Sequence, residues 1–408
     1  TWGAMQSAQD TLDKQRGNAF DTASLEIALL RASSIPARYQ LGTIDVPVSQ
    51  AMNWVGGVQS PAAALSLLNQ GGIAARGLAQ GGSISSIRME HAWVQAYVNW
   101  APGRGSKNAS AAQHVNPNAP LNAWVPLDAS AKQYSYSAGM DLQTAVPLDA
   151  QALLATVQQD AVIDTQQGWV QSLNQNGLQS ELNAYHNRLQ NYVDARKPGA
   201  SVADVFGQKT INPARQSLLA GSTPYAVEMQ GLQTTSVPDA LRWKITLKLY
   251  AGANEKADGN ALLSQPLLFS QIGKKRLTAE GVAATQTDQT LIDQYKQANA
   301  TTLPVYLVQQ KVQLRLDDQL LAETAPQRMG TSQWWSYILE GPSIGSIEED
   351  FKYENVVGDA IAFSIDAVGF GYNDAALRAA AVNPDTTLEN LHQFGLGYWS
   401  RANESDTI

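Results

Sequence analysis

The sequence contains no cysteine in 408 residues. This absence excludes disulfide bonds and thiolate metal sites, and it leaves no thiol to act as a nucleophile. It is compatible with an oxidising compartment, where an unpaired thiol is a liability. The polar residues are largely Gln, Asn, Ser and Thr rather than Lys and Glu, a composition that favours a secreted or cell-surface location.

Charge and long apolar runs are also scarce. Charged residues make up 16% of the chain, the net charge is −8 and no basic block occurs, so we do not expect nucleic acid as a partner. No window approaches the roughly 20 consecutive apolar residues of a membrane span. Apolar residues still make up 44%, which is enough to fill the cores of a folded protein. We expect any targeting signal to lie outside this sequence.

The patterns of metal and cofactor sites are missing as well. No His, Asp and Glu residues have zinc-ligand spacing. Asp317 and Asp318 lie in a predicted hairpin turn without the further oxygen ligands of a calcium loop. The glycine turns "GGVQSP" and "AQGGSISS" lack the spacing of a phosphate loop. We therefore expect neither a metal nor a cofactor.

The length exceeds that of one ordinary domain, and the residue patterns change three times along the chain. We predict an α+β protein in four blocks. These are a mixed core at 1–147, a helical hairpin and linker at 148–224, an antiparallel β domain at 225–325, and an α/β extension at 326–408 that continues in the natural chain.

Two helix patterns stand out in the first block. The first runs from about Ala19 to Ala32 and is apolar almost all round, as is typical of a central helix. Its main apolar stripe comprises Phe20, Ala23, Ile27 and Leu30. The second, "SPAAALSLLNQGG", has Ser60 as its N-cap, Pro61 at the first helical position and Gly71 as its stop.

Two strand patterns follow in the same block. "HAWVQAYVNW" alternates, with His91 and Trp93 on one face and Ala92 and Val94 on the other. "AWVPLDAS" predicts a short strand that ends in an acidic turn at Asp128.

The later blocks have different periods. Residues 148–197 predict two antiparallel amphipathic helices joined at "NQNG". We expect this hairpin to be a packing arm, and the alternative is that it binds a partner. From 225 onward, "ALRWKITLKLYAG" and "LPVYLVQQKVQLRLDDQLLAET" alternate as strands, with a reversal at the Asp-Asp pair. They predict an antiparallel sandwich. The extension contains a strand pattern, "AIAFSIDAVGF", followed by two helix patterns.

Three segments of the first block together have the residues of thiol acyl transfer. This chemistry needs a thiolate, a base that accepts and returns its proton, and a carboxylate that orients the base. A helix N-terminus lowers the pKa of a thiol, so the nucleophile belongs at the position of Ala19. His91 would serve as the base and then the acid, and Asp128 would accept its ring N–H. A single histidine on a strand is more often structural, but the three-part pattern favours the site role.

The same segments resemble the transglutaminase-like superfamily, in which a central helix packs on an antiparallel sheet in a papain-like fold. The superfamily pattern is a Gly-x-Cys turn, an Ala four residues after the cysteine, an "LLRA…IPARY…G" continuation, then H-x-W and W…D. This chain shows Gly17, Ala23, "LLRASSIPARYQLG", "HAWV" and "WVPLDAS" over about residues 15–140. The resemblance makes Ala19 the cysteine position and gives His91 and Asp128 the family's other catalytic positions.

A second, less specific resemblance concerns the rest of the chain. Its "MNWVGGV" and "GMDL" stretches are similar to the transglutaminase-like region that precedes RHS/YD repeats in large bacterial surface or secreted proteins. The implied architecture is a papain-like core followed by a helical hairpin and a β-sandwich-like domain. The implied partners are a peptide or protein and other domains of a larger polypeptide.

Alanine at position 19 leaves two hypotheses open. Either the chain is a non-catalytic module that binds a peptide or partner or serves as a scaffold, or it is a thiol acyltransferase or amide hydrolase inactivated by Cys→Ala at that position. No other residue replaces the thiol, because Ser24 lies more than one turn inside the helix and Ser7 and Ser33 lie outside the motif.

Overall fold

Helices and strands are interspersed throughout the computed structural model, which describes residues 1–363 apart from 103, 107–119, 215–217, 274, 299–302 and 352–354. This mixture confirms the α+β class. The helices are α1 (Ala8–Lys14), α2 (Ala19–Ala32), α3 (Val48–Trp54), α4 (Pro61–Gln70), α5 (Leu142–Ala145), α6 (Ala150–Gln158), α7 (Gln175–Arg196), α8 (Val202–Phe206), α9 (Ala253–Ala257), α10 (Phe269–Ile272) and α11 (Gln286–Gln297).

The described strands pair antiparallel with their neighbours, some of which are consecutive in the chain and some far apart. They are β1 (Ala37–Pro47), β2 (Ala75–Gln80), β3 (Ser83–Val98), β4 (Trp100–Ala101), β5 (Gly105–Ser106), β6 (Ala123–Leu127), β7 (Tyr134–Ala138), β8 (Val162–Asp164), β9 (Trp169–Gln171), β10 (Gly207–Ile211), β11 (Ala226–Thr234), β12 (Lys244–Tyr250), β13 (Leu263–Leu268), β14 (Leu277–Ala283), β15 (Gln309–Leu316), β16 (Gln319–Glu323), β17 (Gln327–Arg328), β18 (Ser332–Gly341), β19 (Gly345–Asp350), β20 (Asn355–Val356) and β21 (Ala360–Phe363).

The described chain divides into two compact units. The first contains residues 1–133 and the described residues from 213 onward, and the second contains Tyr134–Asn212. These units differ from the four predicted blocks, because two stretches separated by 79 residues (213 − 133 − 1) belong to one unit. Local residue patterns do not reveal such long-range pairing.

The central sheet of the first unit is built around β3. Its strand order is β11-β1-β3-β2, and β6 also pairs with β3. His91 lies opposite Gly42 of β1, and Val94 lies opposite Leu127 of β6. Strand β11 therefore belongs to this sheet and not, as predicted, to the later β domain.

Helix α2 forms as the sequence predicts and begins with a capping box. The Asn18 side chain accepts the backbone N–H of Asp21, and the Asp21 side chain accepts that of Asn18. Phe20, Ala23 and Ile27 are buried against Ala92 and Val94 of β3. The helix is not buried all round, because the Leu29 side chain remains 54% exposed on its outer side.

The opposite face of the sheet carries a second core. Trp93 of β3 packs there with Ala51 of α3, Ala64 and Leu68 of α4, and Tyr225. Ser60 caps α4, Pro61 begins it and Gly71 ends it, as predicted. The alternation predicted for β3 is thus present, with its two faces in two different cores.

A pair of five-stranded sheets forms the remainder of the first unit. One has the order β13-β12-β18-β19 with β20 on β18, and the other has the order β16-β15-β14-β21 with β17 on β15. Side chains of both sheets share one core, which includes Leu247 and Leu314. The predicted boundary at residue 325 cuts this arrangement, since β17–β21 complete sheets that β12–β16 begin. Asp317 and Asp318 lie in the β15–β16 turn, as expected.

The N-terminal segment joins this β region to the central sheet. The Ala4 N–H donates to the Leu241 carbonyl at 2.8 Å, and the Trp243 ring N–H donates to the Trp2 carbonyl at 2.7 Å. The β region therefore contacts the N-terminal core directly.

The second unit contains the predicted helical pair with a different connection. Helices α6 and α7 are joined by the short β8–β9 hairpin, whereas "NQNG" opens α7, where Asn174 is the N-cap. Neither α6 nor α7 has a fully buried residue. The two helices predicted after residue 363 lie outside the described residues, and β21 forms the beginning of the strand predicted there.

Candidate active site

His91 and Asp128 meet on one face of the central sheet. Val94 and Leu127 are a register pair that faces α2, so His91, three residues before Val94, and Asp128, one residue after Leu127, project to the opposite face. His91 Nε2 lies 2.8 Å from Asp128 Oδ2, and the two side chains are only 5% and 3% exposed. The hydrogen bond expected from the sequence is present.

The Asp128 carboxylate accepts four hydrogen bonds. Oδ2 accepts from His91 Nε2 at 2.8 Å and from the Tyr225 hydroxyl at 2.7 Å. Oδ1 accepts from the backbone N–H and the hydroxyl of Ser130 at 2.9 and 2.6 Å. These bonds occupy about all the lone-pair sites that a carboxylate offers.

These donors decide the charge of Asp128. Burial disfavours the carboxylate, but the charge of His91 and the hydrogen bonds from His91, Ser130 and Tyr225 outweigh it, so the pKa of Asp128 is lowered. Because an ionised carboxylate can only accept, His91 Nε2 must carry the proton.

Aromatic rings fix the plane of His91. Trp54 and Tyr225 approach the imidazole edge-on, with ring centroids at 5.3 and 5.6 Å, and Trp93 lies nearly parallel to it at 6.4 Å. The histidine is therefore oriented both by its carboxylate and by packing.

A second carboxyl group from α2 lies next to Asp128. Glu26 Oε2 accepts the backbone N–H of Ala129 at 3.4 Å. Burial, reinforced by the charge of Asp128, raises the pKa of Glu26 to about 7, against a hydrogen bond from Ala129 and the charge of Lys132. Burial also lowers the pKa of Lys132, although Asp128 and Glu26 oppose this shift.

Ala19 is the half-buried first residue of α2, as predicted. Its helix packs on the face of β3 that carries Ala92 and Val94, whereas His91 belongs to the other face. The hydrogen bonds of the His91 ring are to Asp128 and Ser130, and its ring contacts are with Tyr225, Trp54 and Trp93. The link from α2 to this network is through Glu26.

Residues 2–129 match the model of the transglutaminase-like superfamily. They form a transglutaminase-like domain. The match spans fewer than a third of the 408 residues. Searches of curated proteins and of solved structures found no match to the chain.

The transglutaminase-like domain contains Ala19, Glu26, His91 and Asp128, but Ser130 and Tyr225 lie beyond it. Sequence reasoning missed Glu26, Ser130, Tyr225 and Trp54. Ser130 could have been noticed, since a serine two residues after an aspartate often bonds its side chain. Glu26 and Tyr225 carry no such local signal, because only the packed chain brings them to Asp128.

The His91–Asp128 pair has the geometry of a histidine base and a carboxylate that orients it. In the neutral form of His91, donation of Nε2–H to Asp128 leaves the ring lone pair on Nδ1, where it could accept a proton. Within the described part of the chain, both hydrogen-bond partners of His91 are on Nε2. The methyl group of Ala19 has no proton to give and no lone pair with which to attack.

The remaining site predictions concern metals and membranes. In the described ranges no group of three or more His, Asp and Glu side chains could hold a metal ion. The same residues include no helix that is long and apolar enough to span a membrane.

Proposed function

We propose that this chain is a transglutaminase-like module that has no nucleophile and acts by binding a peptide or protein partner or by serving as a scaffold. It would form part of a large secreted or surface-exposed bacterial protein, next to further domains such as RHS repeats. The observation that carries the proposal is an ordered His91–Asp128 pair in a chain with Ala19 at the nucleophile position and no cysteine anywhere.

The contacts around His91 and Asp128 favour a structural role for this pair in the folded protein. A buried carboxylate that loses its donors costs about 1–3 kcal/mol for each unsatisfied group. Here the acceptors of Asp128 are all used, and the rings of Trp54, Trp93 and Tyr225 pack around His91. The His91–Asp128 pair can thus serve as a stable structural element of the sheet.

A second candidate is a thiol acyltransferase or amide hydrolase that Cys→Ala at position 19 has inactivated. The observation in its favour is the same His91–Asp128 geometry, with the tautomer that leaves Nδ1 free to take a thiol proton. Cross-linking, deamidation and proteolysis share this chemistry, since each begins with thiolate attack on an amide carbonyl.

Ala19→Cys separates the two candidates. The variant has a single thiol, at a helix N-terminus, where the pKa of a thiol falls by roughly one unit or more. We expect alkylation by iodoacetamide well below about pH 8, but no release of ammonia or amine from a glutamine-containing peptide. Turnover that disappears in Ala19→Cys/His91→Ala would instead support the inactivated enzyme.

Ala8→Cys is the matched control for thiol reactivity. Ala8 is also half-buried and also begins a helix behind a side-chain cap, that of Ser7. If Ala19→Cys reacts no faster than Ala8→Cys and is insensitive to His91→Ala, position 19 does not lie within reach of the base, and the roles assigned to the three residues would be wrong.

A further inference from the structure

Tyr225 reaches the candidate site from far along the chain. It lies 97 residues after Asp128, just before β11, and its hydroxyl donates to Asp128 Oδ2 at 2.7 Å. Its side chain is buried, and its ring packs edge-on against both His91 and Trp93. No part of the transglutaminase-like match includes it.

The backbone holds Tyr225 close to the sheet through β11. This strand pairs with β1 from Tyr39 to Asp45, and the pairing includes Gly42, which lies opposite His91 on the other side of β1. A Cβ at Gly42 would come within 2.2 Å of the Met229 carbonyl oxygen of β11 and 2.9 Å of the Trp93 ring. A side chain at position 42 would therefore hold β11 away from β1. The close approach of β11 depends on Gly42, the residue that pairs with His91.

The Tyr225 hydroxyl can act only as a donor to this carboxylate. Burial, together with the negative charge of Asp128, raises the pKa of Tyr225 far above its usual range. The phenol remains protonated and donates to Asp128 Oδ2, the oxygen that also accepts the hydrogen bond from His91 Nε2. Two donors on one oxygen restrict the rotation of the carboxylate more than either would alone.

We infer that Tyr225 is a positioning residue that fixes the Asp128 carboxylate and thereby the orientation and tautomer of His91. The site is then assembled from two separate parts of the chain, the transglutaminase-like domain and the segment leading into β11. This inference rests on the proposed function in so far as it concerns the same residue pair, but it requires no turnover.

Two titratable groups near Asp128, Glu26 and Lys132, must be distinguished from the effect of the Tyr225 hydroxyl. Glu26 approaches from α2, and Lys132 follows the strand that carries Asp128. The charge of Asp128 raises the pKa of Glu26 and opposes the lowering of the pKa of Lys132, whereas Tyr225 and Ser130 donate hydrogen bonds to Asp128. A variant that removes only the Tyr225 hydroxyl leaves Glu26, Lys132 and the ring packing in place.

The test is Tyr225→Phe in the full chain, read by nitrogen-15 NMR of the four histidine rings, with His91→Ala used for assignment. In the unmodified protein we expect one His91 tautomer, with a slowly exchanging Nε2 proton. In Tyr225→Phe we expect that proton to exchange about tenfold faster or more, and the Nδ1–H tautomer to become detectable. Tyr250→Phe, which alters another buried tyrosine of the same unit, should leave both signals unchanged.

Unchanged tautomer and exchange in Tyr225→Phe would overturn the inference, and so would an equal change in Tyr250→Phe. If Tyr225→Phe does not fold, the hydrogen bond of Tyr225 is tested by NMR in the unmodified protein instead. A slowly exchanging tyrosine hydroxyl proton with a nuclear Overhauser effect to the His91 Nε2 proton supports the inference, and its absence contradicts it. None of these outcomes depends on the reactivity of Ala19→Cys, so failure of the proposed function would be seen separately.

Discussion

Two neighbouring carboxyl groups, the buried side chain of Asp128 and the half-buried Glu26, have opposite shifts in pKa. Asp128 accepts hydrogen bonds from His91, Ser130 and Tyr225, and its pKa is lowered in spite of burial. Glu26 has one long hydrogen bond from Ala129, and burial raises its pKa to about 7. Burial alone therefore does not decide the charge of a carboxyl group, because hydrogen bonds donated to the carboxylate can outweigh the effect of burial on its pKa.

Glu26 should make the stability of the protein depend on pH between about 5 and 7. Its pKa is raised from 4.5 to about 7 on folding, so the folded chain binds the proton more tightly than the unfolded chain does. The resulting stabilisation is complete below the unfolded pKa and is lost as pH rises through 7. Relative to Glu26→Gln, we expect the unmodified protein to lose on the order of 3 kcal/mol between pH 4 and pH 8.

Urea unfolding of both proteins at several pH values measures this difference. Glu255→Gln, at an exposed position of α9, is the control and should run parallel to the unmodified protein. A constant difference between Glu26→Gln and the unmodified protein across this range would show that Glu26 does not titrate as described.

The start of α2 depends on one buried side chain. Asp21 completes the capping box with Asn18 and also accepts the backbone N–H groups of Met5 and Gln6, each at 2.9 Å. It is 1% exposed, and burial raises its pKa although these hydrogen bonds oppose the shift. The Asp21 carboxyl group thus holds the N-terminal segment by hydrogen bonds and also caps α2, the helix that carries Ala19 and Glu26.

Asp21→Ala should therefore be more costly than the loss of an ordinary cap. It leaves the buried N–H groups of Met5 and Gln6 without their acceptor, and we expect a loss of about 3 kcal/mol or more in the free energy of unfolding. Ser60→Ala, which removes the cap of α4, should cost about 1 kcal/mol. Chemical denaturation measures both, and equal costs would mean that Asp21 acts only as a helix cap.

At the scale of the molecule, the first unit is discontinuous in sequence. Strand β11 joins the central sheet after Tyr134–Asn212 of the second unit have intervened, and Trp243 and Leu241 form hydrogen bonds with the N-terminal segment. The transglutaminase-like match ends at residue 129, before either of these parts. The matched domain consequently depends on later residues for an edge strand and for Tyr225.

Truncation and excision should have opposite effects on this unit. A fragment that ends at Gln133 lacks β11 and Tyr225, and we expect no cooperative unfolding transition. A chain in which a flexible Gly-Ser linker replaces 134–212 retains these pairings and should unfold cooperatively. Thermal denaturation followed by near-ultraviolet circular dichroism tests both, and a fragment as stable as the linked chain would refute the dependence.

The sequence by itself determined the elements whose causes are local. The apolar stripe predicted α2, and Ser60, Pro61 and Gly71 predicted α4. Alternation predicted the two faces of β3, and the Asp-Asp pair predicted the β15–β16 turn. His91 and Asp128 were identifiable as a pair because each lies in a motif of the transglutaminase-like pattern, and a hydrogen bond joins them in the structure. The β8–β9 hairpin was missed because two strands of three residues carry too little periodicity to distinguish them from a turn.

Only the tertiary structure decided which distant groups meet. It joined β11 to β1, added the hydrogen bond from Tyr225 to the Asp128 carboxylate, and placed the half-buried Glu26 beside Asp128. It also showed His91 on the face of β3 opposite the α2 stripe, which alternation alone could not relate to a helix. The physical reason is that caps and periodicity act within a few residues, whereas strand pairing, burial and the pKa values they set arise from contacts across the folded chain.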